Sequence, residues 1–197
     1  WLGNLVNINV EQHPVIGGIL ISVLMGMILT LPISSAAIGV SMGITGVAAG
    51  AATIGCCCQM VGFAVASYRE NKFGGFIAQG IGTSMLQMGN IVRNPRIWIA
   101  PIVTSAITGP IATCLFRLQM NGTAVSSGMG TCGFVGQIGV YTGWMNDIAE
   151  GTKTAVTAMD WAGLFLISFI LPAVLCPLIN MFVRKLGWVK DGDMTLS

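Results

Sequence analysis

The groups that could do chemistry in this chain are hydroxyls and amides set among glycines. Ser41 to Gln59 reads SMGITGVAAGAATIGCCCQ, and Asn121 to Trp144 reads NGTAVSSGMGTCGFVGQIGVYTGW. Neither contains a charged residue. Ser41, Thr45, Gln59, Ser127, Thr131 and Gln137 are poor choices for a lipid-facing surface. Gly43 and Gly46 could let a helix break and free its backbone N–H and C=O groups. Asn90 joins this set from the polar side of a neighbouring segment. Neutral hydrogen-bonding groups of this kind suit an uncharged, polyhydroxylated ligand. No residue is assigned a catalytic role. The single His and the lack of a CxxC motif argue against a metal or redox centre, and no cofactor is expected. Cys56, Cys57 and Cys58 are adjacent, so in a helix they point in different directions; with Cys114, Cys132 and Cys176 they read as small, polarizable packing residues.

The elements that must position these groups follow from composition. Of 197 residues, 54% are hydrophobic and 8% charged, against roughly 25% charged in soluble domains. Such a chain cannot cover a water-facing globule, and the fold class is an all-α integral membrane protein, a polytopic transmembrane helix bundle. From Gln12 to Tyr68, 57 residues, there is no Asp, Glu, Lys or Arg; one span needs about 20 residues. A net charge of +2 gives no case for nucleic acid. Residues 1–197 read as a single transmembrane domain, the C-terminal part of a longer chain.

The expected spans are Pro14 to Leu31, Ser34 to Gly50, Ala51 to Tyr68, Ile97 to Phe116 and Trp161 to Val183. Phe73 to Arg96 carries one apolar helical face but is too polar for lipid, so it lies at the interface or inside the bundle. Arg69, Lys72, Arg93 and Arg96 oppose one acid, and Arg184 and Lys185 open the C-terminal tail; the positive-inside rule puts both regions in the cytoplasm. Asp147, Glu150 and Asp160 outnumber Lys153 and put that loop outside. Asn121 to Trp144 then has no net crossing to make, and a re-entrant helical hairpin satisfies this. The five tryptophans mostly flank spans, as interface belts do.

Met42-Gly43-Ile44-Thr45-Gly46 recurs as Met129-Gly130-Thr131-Cys132-Gly133, each after a proline-led span. This suggests an internal repeat, so the hairpins number one or two, and paired interrupted segments point to a transporter's binding site. Two readings of the glycines stand side by side. Gly39 and Gly43, Gly46 and Gly50, and Gly139 and Gly143 are each four apart, which suits close helix packing. The same glycines could permit broken helices that line a polar cavity, in which case bulk added at Gly43 or Gly46 blocks the site.

The stretch from His13 through LPISSAAIGVSMGITGVAAGAATIGCCCQMVGF and IVRNPRIWIAPIVTSAITGPIATCLF to GMGTCGFVGQIGVYTGW resembles the enzyme IIC (permease) component of the bacterial sugar phosphotransferase system. Within it, the chain is similar to the second EIIC, or perfringolysin O regulator-like, branch. The resemblance implies a multi-pass protein of the bacterial inner membrane in contact with membrane lipid. It also implies a homodimer, hairpins that form a site for a small neutral polar solute such as a sugar, and phosphotransferase partner proteins. A non-transporting sensor or regulator on the same fold is the alternative. Glucose-type permeases follow Gly-Ile-Thr with Glu-Pro, whereas Gly46-Val47 stands here, so chemistry within the chain is not expected.

Overall fold

A computed structural model describes residues 2–196, with side chains from Val6 onward. Helix α4, Gly46–Ala66, is the axis of the bundle and is 94% buried. Small residues make this possible. A Cβ on Gly55 would overlap the Ser22 carbonyl, and one on Gly50 would overlap that of Leu118, so neighbouring backbones touch α4 directly.

Contacts along α4 fix the direction of every other element. In α2, Pro14–Thr30, Ser22 and Gly26 face Gly55 and Thr30 faces Gln59, so α2 runs parallel to α4. Helix α3, Ser35–Met42, then returns to the Gly46 end, where α1, Leu2–Gln12, meets it through Asn7. After α4 come α5, Tyr68–Ile77, a π-helical turn Ala78–Gly82, a 3-10 turn Ser84–Gln87 and α6, Met88–Arg93. A continuous helix Pro95–Leu115, whose α-helical part is α7, Ile99–Pro110, runs antiparallel to α4: Pro101 lies against Gly62, Ser105 against Gly55 and Leu118 against Gly50. The chain re-enters through a 3-10 helix, Ala124–Gly128, and leaves along α8, Val135–Ala149. The last long helix, Ala158–Lys185, comprises α9, Ala158–Phe165, a π-helical turn Leu166–Ile170 and α10, Leu171–Lys185, and runs parallel to α4.

The expected re-entrant hairpin is present. The Met120 N–H bonds the Gly46 carbonyl at 3.0 Å, Gly130 lies against Cys56 and Cys57 halfway along α4, and Gly143 is back beside Asn121. Both ends of the hairpin thus share one end of the bundle. Helix α3 and the break after it form a second.

The sequence repeat is also a structural one, and it is inverted. Gly43, Gly46, Gly130 and Gly133 have φ of +57°, +60°, +52° and +52°, the left-handed region in which glycine has no Cβ penalty. Each pair follows a short helix and precedes a longer one. Counterparts meet in opposite directions. Gly18 packs on Gly109, and Ser22 Oγ donates to the Ser105 carbonyl at 2.8 Å, joining α2 to α7. Ser35 Oγ donates to the Gly128 carbonyl at 2.6 Å, and Gly39 lies against Ala124 and Ser127, joining the two short helices. Gln137 meets Cys57 and Gly136 meets Thr53, joining α8 to α4.

Two expected elements change. The expected second span, Ser34 to Gly50, is not a span: α3 has 8 residues, too few to cross the hydrocarbon, because the left-handed glycines end it at Gly43, and Gly50 is interior to α4. Phe73 to Arg96 is not one helix: Thr83 is extended (φ −159°) and splits it. Gln79, Ser84 and Gln87 are fully buried, so the segment lies inside the bundle.

Candidate functional site

The hydroxyls and amides singled out from sequence fall into three places. Ser41, Gly43, Thr45 and Gly46 stand at the first break. Thr45 precedes α4, and its Oγ1 accepts from Asn7 Nδ2 at 3.1 Å; the same amide reaches the Gly43 carbonyl at 3.2 Å. Asn7 Oδ1 accepts from the Thr45 N–H, so α1 clamps the break. Ser41 bonds the Ile38 carbonyl of its own helix. A Cβ on Gly43 would meet nothing within 4 Å, and one on Gly46 only Asn121 Oδ1 at 3.9 Å. Both glycines are thus required for φ, and a Cβ at either would stand in open space rather than against the protein's own atoms.

Gln59, Ser127, Thr131 and Gln137 stand around the midpoint and far half of α4, on two different faces of that helix. Thr131 Oγ1 donates to the Gly80 carbonyl at 2.6 Å. That carbonyl belongs to a π-helical turn, a geometry frequent at functional sites. Ser127 is buried and donates to the Ala124 carbonyl at 2.7 Å. Gln137 Nε2 points at Cys57 Sγ, 3.3 Å away, while its Oε1 is buried without a partner. Ser168 Oγ, in the π-helical turn of the last helix, is likewise buried and unpartnered. On another face of α4, Gln59 Oε1 accepts from Trp98 Nε1 at 3.0 Å and from Thr30 Oγ1 at 3.3 Å. Thr30 pairs with Ser84, and Gln59 Nε2 is left without a partner. No carboxylate, ammonium or guanidinium belongs to either group.

Asn90 belongs elsewhere. Its amide donates to Gln87 Oε1 and to the Thr195 carbonyl, as part of a clasp that holds the chain's C-terminal segment against α5 and α6. In that clasp Asn71 bonds the Met194 carbonyl and the Leu196 N–H, Asn94 bonds the Trp188 carbonyl and Asp193, and Arg184 pairs with Glu70 at 2.7 Å. The Lys190 N–H bonded to Asp193, aided by the Asn94 amide and the charges of Lys190 and Arg184, lowers its carboxyl pKa below the usual range.

Sequence reasoning missed Thr30, Ser84, Trp98 and Ser168. Trp98 was read as an interface belt residue, yet its indole N–H serves a buried amide. Period alone could not mark Ser84 or Ser168, because 3-10 and π-helical turns carry them. All six cysteines are free, as expected, and Cys58 shares a proton with Thr108 at 3.0 Å.

A membrane-compatible helix bundle, with two oppositely directed interrupted hairpins around a charge-free polar interior, defines a permease-type membrane component. Residues 1–196 match the phosphotransferase system EIIC family, and the chain belongs to that family. No curated protein and no solved structure matches it.

Proposed function

We propose that this permease component binds and translocates a small, neutral, polar solute, with a sugar as the leading class, through the space between its two hairpins. The observation that carries the reading is that buried amide atoms on two faces of α4 lack partners, Gln137 Oε1 on the face that holds Thr131 and Ser127, and Gln59 Nε2 on the face that holds Thr30. An unmet donor or acceptor inside a membrane costs about 1–3 kcal/mol, and a ligand hydroxyl offers both partners at once. The absence of charge around them favours a neutral solute over an ionic one. Family membership supports soluble phosphotransferase partners at the end that holds Arg69 to Arg96, a homodimeric assembly and the bacterial inner membrane as its location.

Uptake of radiolabelled sugars and polyols into proteoliposomes tests the reading. Thr131→Val and Gln137→Leu are expected to insert normally and to lose uptake. Wild-type uptake no faster than into empty vesicles for every solute refutes transport. A second reading, a sensor that binds without flux, has one observation in its favour: Gly46 stands where glucose-type permeases carry an acid after Gly-Ile-Thr. It requires saturable binding in a protein that shows no uptake.

A further inference from the structure

We infer that the end of the bundle opposite the C-terminal clasp carries a second binding site, a vestibule that captures a neutral polyhydroxylated solute before it reaches the hairpins. The inference rests on the permease reading above for its destination but not for its geometry. The vestibule is a cavity of about 490 Å³ whose walls include Arg117, Gln119, Asn121, Trp144, Asp147 and Lys153. Its backbone is the irregular run from Arg117 to Asn121, held between α4 and α8. Leu118 lies on Gly50, Met120 bonds Gly46, and Asn121 lies on Gly143, so the run is fixed on both sides.

The polar groups are arranged in advance of any ligand. Asp147 Oδ1 accepts from Asn121 Nδ2 at 2.9 Å. The Asp147 carbonyl accepts from the N–H groups of Thr152 and Lys153 and from Thr152 Oγ1, which pins that residue's backbone. Lys153 Nζ bonds Asp160 at 2.9 Å and sits 5.5 Å from the centre of the buried Trp144 ring, so this cation is already satisfied. Arg117 is not. It is a non-glycine residue at φ +43°, a strained backbone of the kind that clusters at functional sites. Its guanidinium makes no ion pair or hydrogen bond among the described residues.

The ligand class follows from this inventory. Once Lys153 and Asp160 have neutralised one another, the cavity retains one free cation, Arg117, and two carboxylates, Asp147 and Glu150. An apolar solute would strand all three. An anion would face Asp147 and Glu150, and a cation would face Arg117. A solute with several adjacent hydroxyls can donate to the free Asp147 oxygen and accept from Arg117 together, because each hydroxyl does both. The walls supplied by Met159 and Trp144 leave room for its C–H faces.

Equilibrium binding of tritiated glucose, galactose, N-acetylglucosamine and mannitol to the purified chain in lipid nanodiscs tests the site, alongside uptake of the same probes into proteoliposomes. The Asp147→Asn/Arg117→Gln double variant removes both charges while keeping polar side chains, and, with Arg117 exposed, is expected to keep the wild-type melting temperature. It should weaken binding of whichever probe the wild type holds by about tenfold or more, since two hydrogen bonds to charged groups are lost. Arg117→Lys, which keeps the charge, should recover part of that loss, and Thr131→Val, at the hairpin site, should lose uptake while keeping the component of binding that the double variant removes. Wild-type binding in the double variant overturns the vestibule and leaves the permease reading intact. Failure of the wild type to bind any of the four probes also overturns it. Binding that the double variant loses, in a protein that takes up nothing, sustains the vestibule and removes transport.

Discussion

Three glycines separate the two reasons for which this chain uses small residues. Gly43 needs its left-handed φ of +57° but has open space around it; Gly55 is helical but lies on the Ser22 backbone; Gly130 has φ +52°, and a Cβ on it would fall within 3 Å of Cys56 and Cys57 backbone atoms. Alanine at Gly43 therefore meets only the left-handed penalty, about 1–2 kcal/mol. Alanine at Gly55 gains up to about 1 kcal/mol of helix propensity and loses about 3 kcal/mol, the upper end for overpacking, because the obstacle is backbone and cannot rotate away. Alanine at Gly130 meets both penalties, roughly 2–5 kcal/mol in all. Equilibrium unfolding in mixed micelles, followed by tryptophan fluorescence, should rank Gly130→Ala as the most damaging and Gly43→Ala as the mildest. Asparagine provides a contrast, since it tolerates the left-handed region. Gly43→Asn should cost less than Gly43→Ala, whereas Gly55→Asn should cost far more than Gly55→Ala. A stabilising Gly43→Ala would mean that α3 and α4 form one uninterrupted helix and would refute the reasoning.

Two further outcomes follow from the ends of the bundle. Asp193 has a folded pKa below its free value, so its contribution to the clasp is complete above about pH 4 and is lost as pH falls through the lowered value; the protection factor of the Lys190 amide, which bonds Asp193, should fall on acidification, Asp193→Asn should abolish that change, and equal protection factors at pH 3 and pH 6 would contradict it. Single cysteines at Lys72 and Lys153, in a chain lacking the native six, should react with impermeant reagents from opposite faces of the membrane, and labelling from one face would overturn the two-ended arrangement of the basic and acidic segments.

What could be read in advance was what the solvent dictates. A 57-residue run without charge, bounded by Glu11 and Arg69 and followed by Lys72, leaves little freedom in class or in which end is basic. The hairpin between Asn121 and Trp144 was legible for the same reason: basic segments on one side and an acidic loop on the other leave it no net crossing to make. The first break was harder to place. Gly43, Gly46 and Gly50 look alike in the sequence, and only packing separates them, since Leu118 presses on Gly50 and leaves Gly43 free. The polar partners were the least legible. Trp98 and Ser84 reach Gln59 and Thr30 through turns between elements, and a periodicity argument does not reach those turns.

The inverted arrangement gives the two breaks unequal surroundings, and that inequality bears on mechanism. The Gly43–Gly46 break is exposed at one end and is tied to the rest of the protein mainly by the Asn7 amide and the Gly46–Met120 bond. The Gly130–Gly133 break is buried at its Gly130–Thr131 part, by Cys56 and Cys57 on one side and the Thr131 bond to Gly80 on the other, while Gly133 and Phe134 are exposed. A two-fold operation that carried one hairpin into the other would exchange these surroundings. On the proposed transport reading, this packing has a counterpart in which the two surroundings are exchanged. Moving between them requires Thr131 to leave Gly80. The Thr131 hydroxyl then needs another acceptor and the Gly80 carbonyl another donor. A solute hydroxyl at Thr131 is such a donor. The Thr131 to Gly80 hydrogen bond is accordingly where occupancy of the proposed site and the change of packing would be coupled.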